Sequence, residues 1–308
     1  MSESDLRWAR YEVKRQTDPA VGPYDTHAVH DITGERLHTG DPSEQNGEGL
    51  VWYIESTGYV FRRHDDTKPY NISPNEVVAK ARVSTEIRRL KLQLPAECAY
   101  IVKDGGSWWW WWNRKVKIYK NGRIIGGDKI GCGRVSGLQP LVYSGGIVTG
   151  SPRFQSGLDD PTPNYVFGVS TSDLKSLADY AVDSVSSLPF PLPDMSLIYI
   201  DGNATFNSSK PLRSSGILFV NGNLTISAES NSLFNGLIYV TGNATIYDPC
   251  LISGCVIAYT GLILSRSLST DVAEIDYDSS ILNSVRQQIC QYRENRSVYR
   301  VFSGISGQ

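Results

Sequence analysis

Five cysteines in 308 residues, at Cys98, Cys132, Cys250, Cys255 and Cys290, are too few for a disulfide framework, and their spacing matches no metal-binding pattern. Four histidines (His27, His30, His38, His64) offer no third ligand in pattern, so no metal and no cofactor are expected. No run of 18 apolar residues occurs, which leaves no membrane-spanning helix in this stretch of chain. Thirty Lys and Arg against 32 Asp and Glu, a net charge of −2, lack the basic excess of a dedicated nucleic-acid binder. Nucleophile-elbow, Walker and dinucleotide signatures are missing, so lone serines and cysteines receive no catalytic role. The first five residues carry neither the basic nor the apolar region of a signal peptide. The expectation is a cytoplasmic protein if the chain is complete, or a surface or periplasmic one if an upstream membrane helix has been removed.

What the chain does have is repetition. Ile198 to Phe206 recurs as Leu218 to Ile226 and again as Ile238 to Ile246, with a decayed fourth copy from Ile257 to Leu264. Corner glycines at Gly202, Gly222, Gly242 and Gly261 give spacings of 20, 20 and 19 residues. A period near 20 with two short β runs per unit predicts stacked coils, each covering its neighbour's apolar face. Ile200, Ala204 and Phe206, with their counterparts Val220, Leu224, Ile226 and Val240, Ala244, Ile246, form the inward parity. Asn203, Asn223 and Asn243 then stack about 4.8 Å apart and are expected to pass side-chain amide hydrogen bonds up the stack. Thr205, Thr225 and Thr245 form a second column. A second glycine set, Gly216, Gly236 and Gly254, marks another bend. Cys250 and Cys255 flank one coil corner, where they are either a disulfide in an oxidising compartment or two buried small apolar residues.

The expected fold is mainly β: a parallel β-helix over 96–270, an α+β unit over 1–95 and a C-terminal cap over 271–308. In the first unit, residues from Leu6 to Gln16 suggest a short helix, and Val78 to Ile87 an alternating strand with Lys80, Arg82, Ser84, Glu86 and Arg88 on its polar face. The doubled Arg88-Arg89 looks like a β-bulge. A helical insertion interrupts the solenoid at 158–195, with Ser172 or Asp173 as N-cap and an apolar stripe through Leu174, Leu177, Ala178, Ala181 and Val185. A second helix, capped by Ser279, is expected to close the last coil, because a bare end exposes apolar interior and unpaired strand edges.

Trp108 to Trp112 are five consecutive tryptophans, followed by Arg114, Lys115, Lys117, Lys120 and Arg123; residues 101–130 hold seven basic against two acidic residues. Aromatic plus basic side chains suit a membrane interface, a glycan platform or stacked bases. The plainer reading has the tryptophans clamping the first coil and the lysines solvated. Trp108, Trp110, Trp112, Arg114, Lys115 and Lys117 are therefore the candidate binding surface. Tyr199, Phe219 and Tyr239 form an aromatic column on the outward parity, either open to sugar rings or covered by the insertion. Some β-helices cleave polysaccharides with paired acids, but no acidic cluster recurs along a column here, and no catalytic residue is assigned.

The segments Gly216-Ile-Leu-Phe-Val-Asn-Gly-Asn-Leu-Thr-Ile226, Phe234-Asn-Gly-Leu-Ile-Tyr-Val-Thr-Gly-Asn-Ala-Thr-Ile246 and Ile275-Asp-Tyr-Asp278 resemble those of PilX-like bacterial pilus-assembly proteins. Glu55-Ser-Thr-Gly58 and the strand after it look like the β unit that such proteins place ahead of the solenoid. The resemblance implies a right-handed parallel β-helix and a non-enzymatic accessory role in a type IV pilus-like system at the cell surface. It also implies partners among pilus or cell-envelope proteins, with glycan or membrane contact and no specific nucleic acid. Two other readings stand beside it: a bactofilin-like cytoskeletal polymer, and a glycan-binding or glycan-cleaving β-helix protein.

Overall fold

The computed structural model describes residues 7–15, 28–36, 49–107, 113–265 and 270–304. The chain divides into two compact units, Met1–Arg89 with Tyr292–Gln308, and Leu90–Gln291. The first unit is thus built from both ends of the chain, and the expected cap over 271–308 is split between the two.

The first unit is a six-stranded sheet centred on the hairpin Val51–Arg62 and Glu76–Arg89. The expected helix near Leu6 is instead the strand Arg7–Arg15, paired antiparallel with the hairpin from Arg7↔Arg62 to Val13↔Ser56. Its alternating Trp8, Arg10, Glu12 and Ala9, Tyr11, Val13 suit a two-residue period, and cross-strand partners override the weak helical pattern. Two C-terminal strands, Tyr292–Glu294 and Arg300–Gly304, pair with the other side of Glu76–Arg89. The register shift falls at Val60/Phe61 rather than at Arg88-Arg89, where the strand simply ends.

The second unit is a parallel β-solenoid of about eight turns of roughly 20 residues. Strands Ser196–Ile200, Arg213–Val220, Ser232–Val240 and Cys250–Ala258 lie in one sheet; Ala204–Phe206, Leu224–Ile226, Asn243–Ile246 and Gly261–Leu264 lie in the other. Like meets like: Ile200, Val220 and Val240 stack on one another, as do Phe206, Ile226 and Ile246, all buried inside the coils. Each contributes roughly 1.5–3 kcal/mol of burial. The last repeat departs from the sequence alignment. Asn243 pairs with Gly261 and Gly236 with Gly254, an offset of 18 residues, so Gly261 stacks on the asparagine column and not on the corner glycines.

The glycine column Gly216, Gly236, Gly254 is among the tightest approaches in the stack. All three have positive φ, and a Cβ on Gly236 would sit 1.9 Å from the carbonyl oxygen of Gly216. Only a residue without a side chain fits there.

The coils do not stack in sequence order. Strand Cys98–Asp104 lies beside Cys250–Ala258 (Tyr100↔Val256), and Val116–Ile118 beside Gly261–Leu264 (Ile263↔Lys117), both parallel. From that seam the chain winds outward through Gly122–Ile125, Ile130–Ser136, Ile147–Thr149 and Phe154–Ser156. Residues 158–178 then carry it along the outside of the sheet to the far end, where Tyr180–Val182 pairs with Ser196–Ile200 and the second run winds back to the seam. The last repeat therefore has a rung on both sides and needs no cap. The C-terminal helix Ser279–Gln288, capped by Asp278 rather than Ser279, instead packs laterally on Ser232–Val240 and Cys250–Ala258. Its Leu282, Val285 and Ile289 join Phe167, Leu174 and Leu177 in a second apolar layer over the sheet's outer face. That layer explains why the C-terminal halves of the long strands are buried on both sides.

The insertion is also less helical than its stripe suggests. It holds Pro163–Phe167 and Thr171–Leu177, the latter capped by Ser170, after which Ala181 falls in a strand. Cys250 faces the coil interior and Cys255 the outer layer, because five residues along a strand reverses the face, so the two do not pair.

Candidate functional site

The corner columns form as stacked side chains, with a different bonding pattern from the one expected. Asn203 Oδ1 accepts the backbone N–H of Asn223 at 2.9 Å, and Asn223 Oδ1 accepts that of Asn243 at 2.8 Å. Asn203 and Asn223 thus cap the next coil's backbone rather than its side-chain amide. Two residues earlier a second chain runs Asp201, Asn221, Thr241: Asn221 Nδ2 donates to Asp201 at 2.8 Å, and the Thr241 hydroxyl donates to Asn221 at 3.4 Å. Lys175 pairs with Asp201 at 2.7 Å, and that hydrogen bond, with the one from Asn221, holds the Asp201 carboxyl below its ordinary range. Gly222 and Gly242 are required by closeness, since a Cβ there would lie 2.5 Å and 2.3 Å from the coil beneath, whereas Gly202 has positive φ.

Thr205, Thr225 and Thr245 stack as expected, and the seam extends their outward column to Ile263, Lys117 and Leu141. Arg114, Lys115 and Lys117 are thereby brought beside Asn243 and Thr245, although more than 120 residues separate them in sequence. A groove of about 330 Å³ lies between them, lined by Arg114, Lys115 and Lys117 on one side and by Asn243, Thr245 and Thr260 on the other. Lys115 is engaged with Asp104, whose carboxyl that contact lowers. Arg114 donates to the carbonyl oxygens of Gln139 and Pro140 at 3.1 and 3.2 Å. Trp108, Trp110 and Trp112, the other candidates for this surface, lie outside the described residues.

The aromatic column is covered. Tyr199, Phe219 and Tyr239 stack at 5.0 and 4.9 Å with nearly parallel planes, and Phe167 from the insertion packs edge-on to Phe219. Tyr239 donates to the Pro161 carbonyl at 2.6 Å, and burial raises its pKa. The column is core.

A polar cluster that the sequence pattern does not single out lies in the first unit. On the strand Glu76–Arg89, Ser84, Glu86 and Arg88 are buried, while Ala79, Val83 and Ile87 are partly open and Ala81 is exposed. Cross-strand pairing sets Tyr53 opposite Glu86 and Glu55 opposite Ser84. Arg36 clasps Glu86 through Nε at 2.8 Å and through Nη2, Arg88 reaches it at 3.4 Å, and Tyr53 donates to Glu55 at 2.8 Å. Burial, offset in part by a Ser84 hydrogen bond, raises the Tyr53 pKa. A cavity of about 260 Å³ opens over this cluster. Alternation alone assigns charge to solvent; only the pairing shows which face is closed.

No family model and no curated protein matches the chain. Among solved structures, the competence-associated pilin ComZ from Thermus thermophilus is 10% identical and covers 87% of this chain and 86% of its own, with a TM-score of 0.21. A likeness that low carries no inference about fold or role.

Proposed function

We propose that this chain is a non-enzymatic structural and binding protein of the bacterial cell surface, an accessory or minor component of a type IV pilus-like system. Its work is display. The observation that carries the reading is the rung-on-rung solenoid, whose outward Asn and Thr columns end at a groove flanked by Arg114, Lys115 and Lys117. Parallel coils with a close-packed interior hold such columns at fixed spacing, as a binding rod requires. Envelope proteins are the proposed partners. The test is protease shaving and immunogold labelling of whole cells carrying a tagged copy in the source bacterium. Label on the outer surface supports the reading, and a tag confined to the cytoplasm overturns it.

A second reading, a bactofilin-like polymer, draws on the terminal strand Ile147–Thr149, which ends the sheet with Ile147 exposed. Filaments in electron micrographs of purified protein support it; single particles at every concentration remove it.

A further inference from the structure

The asparagine column stops at the seam, and what stops it is a glycine. Asn203 and Asn223 each accept the next coil's backbone N–H with their side-chain oxygen, whereas above Asn243 stands Gly261 in place of a fourth asparagine, and no such bond joins the two. Gly261 is fixed by geometry: its φ is +152°, and a Cβ there would lie 2.4 Å from the Lys115 carbonyl oxygen. The missing side chain leaves the groove of about 330 Å³ described above. Among the described residues, the Asn243 amide has no hydrogen-bond partner and Lys117 has no acidic one. Arg114 Nε is buried with no acceptor. Among the described residues no carboxylate lines the groove, and with Lys115 engaged by Asp104 its positive charge comes from Arg114 and Lys117.

We propose that this groove binds an acidic polysaccharide. The sugar carboxylate sits between Arg114 and Lys117, in charge-assisted contact. Asn243, Thr245 and Thr260 face the ring hydroxyls. An amide and two hydroxyls both donate and accept, which matches a sugar's hydroxyls better than an acceptor-only phosphate. The partly open side chain of Ile263 lies along the same wall. This assignment deepens the display reading and rests on its claim that the solenoid is a binding rod.

The test is calorimetric titration of the full chain with polygalacturonate, with dextran as the neutral control and phosphatidylglycerol vesicles as the competing anionic surface. Binding to polygalacturonate that weakens with salt, together with none to dextran, supports the site. Lys117→Gln should lower affinity about tenfold, and Asn243→Ala several-fold, with the melting temperature unchanged in both. Arg114→Gln should also lose affinity, but its carbonyl contacts make Lys117→Gln the cleaner variant. Polygalacturonate binding that is absent, equal for dextran or indifferent to Lys117→Gln overturns the proposal, as does binding to vesicles alone. Surface label on cells without polygalacturonate binding rejects the groove and keeps the display reading; binding by a protein confined to the cytoplasm does the reverse.

Discussion

Asn223 accepts the backbone N–H of Asn243 from the adjacent coil at 2.8 Å, whereas among the described residues the side chain of Asn243 itself accepts nothing from the coil above. Two chemically identical residues in one column therefore differ in what they hold. Asn223→Ala should cost about 1 kcal/mol, and Asn243→Ala less than about 0.5 kcal/mol. Denaturant titration of the two variants in parallel reads the difference; equal losses would contradict the capping role.

The glycine column sets a sharper limit. Gly236→Ala forces a Cβ onto the Gly216 carbonyl at a positive φ and should destabilise by about 3–5 kcal/mol. Gly58, in the open sheet of the first unit, has only ordinary contacts at 3.8 Å or beyond, so Gly58→Ala should be neutral or slightly stabilising. Melting curves separate the two outcomes, and a tolerant Gly236 would rule out coils packed this closely.

How far these features were legible in the sequence depends on whether they were local. Repeat phase gave the parity of Val220, Leu224 and Ile226, because an in-register stack writes the same residue at the same place in every coil. The seam was not legible: nothing local says that Lys117 lies beside Ile263, since the pairing joins two runs wound from different starting points. For the same reason Ser279–Gln288 reads as a cap for an end that is not an end. Glu86 and Arg88 read only as members of a polar face, because the pattern shows two faces without showing which one is covered.

Glu86 is nearly inaccessible and sits between Arg88, itself buried, and the half-open Arg36. Removing Glu86 takes a carboxylate away from two guanidinium groups, one of them buried. Glu86→Ala should therefore destabilise the first unit by about 3 kcal/mol, a value discounted for the exposure of Arg36. Hydrogen exchange of Val51–Arg62 and Glu76–Arg89 reports that unit separately from the solenoid; unchanged protection would make the cluster incidental.

All five cysteines are free and buried, and burial pushes the thiols of Cys98 and Cys250 up to about 12. Native protein should react with Ellman's reagent only slowly, and all five thiols should appear in guanidinium chloride. A count of three after unfolding without reductant would reveal a disulfide and reverse the assignment of Cys250 and Cys255 to opposite faces.

Asp276 has a raised pKa, through burial first and then through the charges of Glu274 and Asp278. Its proton is held more tightly in the folded state, so the stability it contributes is present below the unfolded carboxyl pKa and lost as pH rises through the folded one. Asp276→Asn should raise the melting temperature by about 1–2 °C at pH 7 and leave it unchanged near pH 3. A gain at pH 3, or none at pH 7, would contradict the sign.

The seam carries both the fold's winding order and the groove, and cross-linking tests it most directly. Ile263 and Lys117 are paired neighbours on the outward column, whereas Thr225 lies two further rungs away. Cysteines at Ile263 and Lys117 should be joined by a short bifunctional thiol reagent in the native protein, and cysteines at Thr225 and Lys117 should not. Failure of the first pair to join, with the fold intact, would mean that the two runs of coils do not meet there.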